Sequence, residues 1–136
     1  MTKPKSRSPT LTDGRVRTAA GHMTEEEMIS SFGSTDLNFV DPFIGQLANV
    51  GSKASKFDVN GTAFVVSVIQ GVQPRDQLEA MLAAQMAAIH TASMTLARRL
   101  NHVETIPQQD SAVRALNNLT RTYAMQLEAL NRYRTG

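Results

Sequence analysis

The sequence contains no cysteine and no tryptophan, and aromatic residues make up only 5% of its 136 residues. The lack of cysteine excludes disulfide bonds, thiol chemistry and cysteine-ligated metal sites. With so few aromatic side chains, the core must be built mainly from alanine, leucine, valine, isoleucine and methionine. The length is sufficient for one domain with a core of moderate size.

The sequence also lacks a long, strongly apolar run. The stretch from Ala80 to Ala97 carries no charged side chain, but glutamine, histidine, serine and threonine interrupt it. A membrane-spanning helix needs roughly 20 predominantly apolar residues, so we predict no membrane span here. The first ten residues are basic and lead into no apolar run, which argues against a secretory signal. Together with the absence of cysteine, this predicts a cytoplasmic protein.

Signatures of catalysis are absent from the sequence as well. It has no glycine-rich phosphate loop, no His-Glu-x-x-His motif and no nucleophile elbow. Its histidines, His22, His90 and His102, do not occur at metal-binding spacings. We therefore expect no enzymatic activity, no cofactor, no metal and no small-molecule substrate. For His90 we favour a polar position within a helix interface, and the alternative is a pH-sensitive contact.

Charge is distributed unevenly along the chain, whose formal net charge is +2. Residues 1–23 hold five basic residues and one acid, residues 24–72 hold two and six, and residues 73–136 hold seven and five. The first segment has few large apolar side chains, which predicts a disordered basic arm. Such an arm is either a solvated tail or an electrostatic contact for nucleic acid. The candidate nucleic-acid contacts are Lys3, Lys5, Arg7, Arg15 and Arg17, joined by Arg114 and Arg121 on one face of the last predicted helix.

Residues 24–72 are predicted to form short helices and linkers that pack on the rest of the chain. Thr24 and Glu27 have the spacing of a capping box, and Gly33 is a natural helix end. For a second helix, Asp41 is the predicted cap, Pro42 the first helical residue, and Gly51 the residue after the end.

The segment of residues 60–70 is ambiguous between strand and helix. Its valines favour a strand, and Asn60 followed by glycine resembles a hairpin turn. However, no convincing partner strand lies on the other side of that turn, and an isolated two-stranded hairpin is barely stable. We therefore predict a short helix that is capped by Asn60 and ends at Gly71.

Residues 73–136 are predicted to form an antiparallel hairpin of two long helices over residues 74–134. Pro74 fits the first position of one helix, Pro107 interrupts the pattern, and Asp110 or Ser111 can begin the next helix. A short connection makes the two helices antiparallel neighbours. The predicted fold class is thus all-α. The expected core of the hairpin is Leu82, Ile89, Leu96, Leu116, Tyr123 and Leu127.

Rows of small residues and of methionines lie beside that apolar stripe. Small side chains let another helix approach closely, and flexible methionines suit partner binding. We predict that the chain is a non-enzymatic interaction protein that self-associates as a homodimer. The alternatives are a different protein partner, or cover from the short helices through Phe43, Ile44, Leu47 and Phe64. The candidate face is Ala80, Ala84, Ala88, Met81, Met86, Met94 and Met125.

Three stretches of the last half, "MLAAQMAAIH", "PQQDSA" and "ALNRYRTG", resemble a family of small helical alphaproteobacterial proteins of uncharacterised function, often encoded near mobile elements. The resemblance covers residues 73–136. It implies a bacterial intracellular setting, and it leaves open whether the chain is truncated at Gly136. It assigns no activity and no functional residues. Nucleic-acid binding as an accessory of a mobile element is the alternative function that we keep open.

Overall fold

The computed structural model describes residues 15–18, 21–52 and 58–136. Within these ranges the chain is almost entirely helical, which confirms the predicted all-α class. Its five helices are α1 (Glu25–Ser30), α2 (Leu37–Gly51), α3 (Val59–Val72), α4 (Gln77–Leu100) and α5 (Ile106–Thr135). The last two pack against each other as the predicted hairpin.

A short antiparallel pair of strands precedes α1. Strand β1 (Arg15–Thr18) pairs with β2 (Gly21–Thr24), and Val16 lies opposite Met23. This corrects the prediction of a disordered arm for the part of residues 1–23 that the structure describes. The β-branched residues Val16 and Thr18 favour the extended conformation. The remainder of the arm, including Lys3, Lys5 and Arg7, lies outside the described residues.

The helix starts are set by side chains that accept a backbone hydrogen bond. Asp36 caps α2 through Asn38 N (2.9 Å), Asp58 caps α3 and Asp76 caps α4. Thr105 caps α5, so that helix starts earlier than the predicted Asp110 or Ser111. Each capping oxygen satisfies a donor that the first helical turn leaves free.

The predicted start of α2 was wrong for a related reason. With Asp36 as the cap, Pro42 lies inside the helix instead of at its first position. A proline there removes one backbone hydrogen bond. Burial of Val40, Phe43 and Leu47 along the same helix offsets that loss.

The segment of residues 60–70 is helical, as we chose, although its cap is Asp58 and not Asn60. The helix continues through the predicted stop at Gly71 and ends at Val72, because Gln73 adopts a left-handed conformation with φ of 54°. Its inner face buries Val65 and Ile69 completely.

The core lies between the first three helices and one face of α4. Phe32 and Phe43 meet edge to face with ring centroids 5.7 Å apart, and Phe39 stacks on Phe43 at 4.9 Å. Helix α4 contributes Ala80 and Ala83, which are fully buried. These alanines of α4 thus pack on α2 and α3. The sequence analysis gave packing by the short helices as an alternative to self-association, and on this face of α4 the short helices do pack.

Helix α5 packs on another side of α4, and within the described residues α4 is its one extensive neighbour. Only Leu130 among the side chains of α5 is fully buried. The predicted hairpin core therefore included residues that are not fully buried. Tyr123 and Leu127 are exposed, and the other four members, Leu82, Ile89, Leu96 and Leu116, are half-buried.

Candidate interaction surface

The surface of the chain carries a row of three rings, one each from α3, α4 and α5. Phe64 of α3 stacks on His90 of α4 with ring centroids 5.9 Å apart. His90 in turn lies 6.5 Å from the ring of Tyr123 of α5. All three side chains are exposed. Aromatic groups of this size supply much of the energy of protein interfaces when they are covered.

Two exposed apolar residues lie one helical turn from the rings of His90 and Tyr123. Met94 follows His90 by four residues on α4, and Leu127 follows Tyr123 by four residues on α5, so each shares its neighbour's face. About half of each side chain is accessible, 52% for Met94 and 51% for Leu127. We call Phe64, His90, Met94, Tyr123 and Leu127 the ring face.

The three rings of the ring face have no charged neighbour one turn away on their own helices, whereas Arg98 lies one turn beyond Met94. At spacings of three and four residues from Phe64, His90 and Tyr123, the sequence places no aspartate, glutamate, lysine or arginine. These neighbours are alanine, glycine, asparagine, glutamine, serine, threonine and larger apolar residues. A neutral face meets a copy of itself without repulsion between like charges.

The candidate face predicted from the sequence does not form one surface. Ala80 and Met86 are buried within the chain, and Ala84 and Ala88 are half-buried. The other three members, Met81, Met94 and Met125, are exposed. Met81 and Met94 are separated by 13 residues of α4, which at about 100° per residue turns them far apart around the helix. Of the seven, only Met94 belongs to the ring face.

A second feature that the sequence analysis missed is a polar corner where the start of α4 meets the end of α5. It comprises Arg75, Asp76, Glu79, Tyr133 and Arg134. The side chain of Glu79 is fully buried, and its Oε2 accepts a hydrogen bond from the backbone N–H of Arg75 at 2.8 Å. The sequence shows Asp76 and Glu79 as ordinary first-turn acids, and nothing local links them to Tyr133 and Arg134.

Arg134 closes this corner from α5. Its Nε donates to Glu79 Oε1 at 2.5 Å, and its Nη2 donates to the carbonyl oxygens of Val72 and Gln73 at the end of α3. Tyr133 donates its hydroxyl to Asp76 Oδ2 at 2.5 Å. One turn of α5 therefore ties together α3, α4 and α5.

The pKa values of three groups in this corner are shifted, and the shifts fit a structural role. Burial raises the pKa of Glu79, but the hydrogen bonds from Arg134 and Arg75 outweigh it and hold the pKa below its ordinary value. The hydrogen bond from Tyr133 lowers the pKa of Asp76, and the same bond raises the pKa of Tyr133. Since both oxygens of Glu79 accept hydrogen bonds from arginine N–H groups, its negative charge is paired within the chain.

Arg114 and Arg121, the two nucleic-acid candidates on α5, are exposed. Neither forms an ion pair within the part of the chain that the structure describes. Only the backbone of Arg15 and Arg17 is described, in β1. The described residues include no group of three or more histidine, aspartate or glutamate side chains close enough to hold a metal ion.

Across the described ranges, no helix has the length and apolar character that crossing a bilayer requires. Comparison with known proteins gave no match among protein-family models, curated proteins or solved structures. The resemblance over residues 73–136 therefore stays a prediction.

Proposed function

We propose that this chain is a non-enzymatic interaction protein that self-associates through its helical hairpin, with the ring face at the centre of a two-fold interface. The observation that carries the proposal is the row of exposed rings Phe64, His90 and Tyr123, which Met94 and Leu127 border and which has no charged residue one turn from any ring.

The architecture of the hairpin supports a second copy as the occupant of this face. Helix α5 has 30 residues, yet α4 is its one extensive neighbour among the described elements. Two such hairpins can combine into a four-helix bundle, a common arrangement for helix pairs of this kind. The 24 residues of α4 span about 36 Å, which leaves room for a standard interface of ~1,600 Å².

The lack of charge beside the three rings favours a symmetric partner over a charged one. In a two-fold interface each residue meets the same patch of the other copy, so a face with net charge would repel itself. A partner recognised by charge would instead require basic or acidic side chains among the rings.

The test is light scattering on the purified full chain over a range of concentrations, with two matched substitutions in α5. Leu127 and Met125 are both exposed, at 51% and 63%, and lie two residues apart on nearly opposite sides of the helix. Leu127→Glu places a charge in the ring face and is expected to dissociate the dimer. Met125→Glu adds the same charge outside it and is expected to leave the dimer intact.

Two results contradict this proposal. One is a wild-type chain that is monomeric at tens of micromolar, where typical ~μM dimers are populated. The other is a dimer that Met125→Glu disrupts and Leu127→Glu does not. That result would place the interface on the side of α5 that carries Met125. Circular dichroism of both variants verifies that each still folds.

A second candidate function is nucleic-acid binding, which rests on Arg114 and Arg121. The two residues are exposed and seven positions apart, so they share one face of α5 about 10 Å apart along its axis. The five basic residues among residues 1–23 would add to this charge. Binding of this kind is electrostatic and independent of base sequence.

A further inference from the structure

An open groove of about 750 Å³ lies between the last turns of α4 and the first turns of α5. Its walls are largely apolar and are formed by Leu96, Val103, Pro107, Ala112 and Ala115. We call it the turn groove. Its volume falls within the roughly 300–1,000 Å³ that is usual for binding pockets.

Cationic side chains also line the turn groove. Arg98 and Arg99 belong to the last turn of α4, and His102 follows in the loop. Neither arginine forms an ion pair in the described part of the chain. The favourable position of a cation at a helix C-terminus explains why arginine is tolerated there, but not why these arginines line an apolar groove.

The acidic residues near the loop are not part of the lining of the turn groove. Glu104 and Asp110 are the closest acids in sequence, and neither contributes to its lining. Asp110 instead lines a smaller neighbouring groove together with Arg114. The turn groove therefore combines an apolar floor with positive charge.

From this combination we infer that the turn groove binds an acidic peptide segment in which carboxylate side chains flank an apolar one. Guanidinium groups pair well with carboxylates, through two parallel hydrogen bonds in the best geometry. The apolar side chain of the peptide would occupy the floor between Leu96 and Ala112. Single-stranded nucleic acid also offers negative charge, but the lining holds no phenylalanine, tyrosine or tryptophan on which its bases could stack.

The turn groove lies nearer the loop of the hairpin than the rings of the ring face do. On α4, Arg99 follows His90 by nine residues, which is about 14 Å along the helix axis, whereas Arg98 follows Met94 by one turn and shares its face. The inference uses none of the three rings, so its test is independent of the test for self-association.

The experiment is a fluorescence-anisotropy titration of the full chain against a fluorescein-labelled peptide of alternating glutamate and leucine. We expect saturable binding that Arg99→Glu weakens by about tenfold or more, because the substitution reverses a charge on the groove. Ala112→Leu, which fills the floor, is expected to weaken binding too. Arg121→Glu is the matched control, since it reverses the charge of an exposed arginine outside the groove, and it is expected to preserve affinity within about twofold.

Two further probes distinguish the ligand classes. A labelled polyglutamate peptide lacks the apolar groups and is expected to bind more weakly than the alternating peptide. A labelled single-stranded oligonucleotide of equal charge is expected to bind more weakly as well. The inference is overturned by absence of saturable binding, by equal losses in Arg99→Glu and Arg121→Glu, or by an oligonucleotide that binds most tightly and depends on Arg99. Because Arg99 is exposed, thermal melts of Arg99→Glu should show only the small destabilisation of an acid at a helix C-terminus.

Discussion

Arg134 of α5 donates a hydrogen bond to the buried carboxylate of Glu79 in α4, at 2.5 Å and across 55 residues of sequence. The same guanidinium reaches two carbonyl oxygens at the end of α3. This pair fixes where the last helix meets the rest of the chain, and it leads to the first two predictions.

Arg134→Ala is expected to lower the free energy of unfolding by about 1–3 kcal/mol, because it leaves a buried carboxylate with fewer donors. Arg132→Ala is the matched control two residues away. Arg132 pairs with Glu128 on the surface, where both side chains are mostly exposed, and its loss should cost no more than about 0.5 kcal/mol. Urea denaturation measures both. Equal effects would show that the buried pair contributes nothing beyond a surface pair.

Acid is expected to destabilise the fold through Glu79. The pKa of this group is lowered on folding, so its contribution is complete above the ordinary value of 4.5 and is lost as the pH falls through the lower folded pKa. Glu79→Gln removes the titrating group and should be less stable than the parent chain at neutral pH. The urea midpoints of the two proteins should converge in acid. A difference between the two urea midpoints that stays constant with pH would contradict this prediction.

Two glycines should respond in opposite ways to alanine. Gly33 has a φ of +77°, and a Cβ there would lie 2.7 Å from the carbonyl oxygen of Asp76. Gly33→Ala should therefore cost about 1–3 kcal/mol. Gly45 lies within α2, and a Cβ there meets nothing within 4 Å. Gly45→Ala should stabilise the helix by about 0.5–1 kcal/mol. Thermal melts compare the two, and a common sign would refute the assignment.

Enlarging the alanines of α4 tests which face of that helix the core covers. Ala83 is fully buried, and Ala83→Leu should overpack the core at a cost of about 1–3 kcal/mol. Ala88 is half-buried, so Ala88→Leu should cost less than about 1 kcal/mol. Melting temperatures provide the comparison. A larger loss for Ala88→Leu would place the close helix contact on the other side of α4.

Nucleic-acid binding, if it occurs, should weaken steeply as salt concentration rises. Replacing one phosphate-binding arginine, as in Arg121→Ala, should lower the slope of log affinity against log salt by about 1. A chain that starts at Thr24 separates the contribution of the basic residues before it. Mobility-shift titrations of the full and shortened chains test this, and no shift by either at low salt excludes this function.

The sequence predicted the helices better than their packing. Pro74 looked like the start of α4, but the helix begins after Asp76, whose carboxylate accepts the N–H of Glu79. The sequence analysis placed Leu82 and Ile89 in the core of the hairpin, but Ala80 and Ala83 are buried more deeply. Periodicity shows that a helix has two apolar sides, but it does not show which neighbour covers each side.

The two candidate surfaces were harder to predict for a simple geometric reason. Phe64, His90 and Tyr123 belong to three helices, and no spacing within one helix connects them. The polar corner likewise joins Asp76 to Tyr133 across 57 residues. In contrast, the capping roles of short polar residues depend on local spacing. The sequence therefore predicted helices near the right places, although the capping residue itself was misplaced at Asp41 and Asn60.

The order of packing along the chain has a consequence for the rate of folding. In the described residues, α2 packs on α3, α3 on α4, and α4 on α5, so most contacts join elements that are adjacent in sequence. Each helix can dock on the one before it, and little entropy is lost in closing long loops. Proteins dominated by such local contacts fold in microseconds to milliseconds. The bond between Glu79 and Arg134 joins distant parts of the chain, and it can form only after α5 has docked.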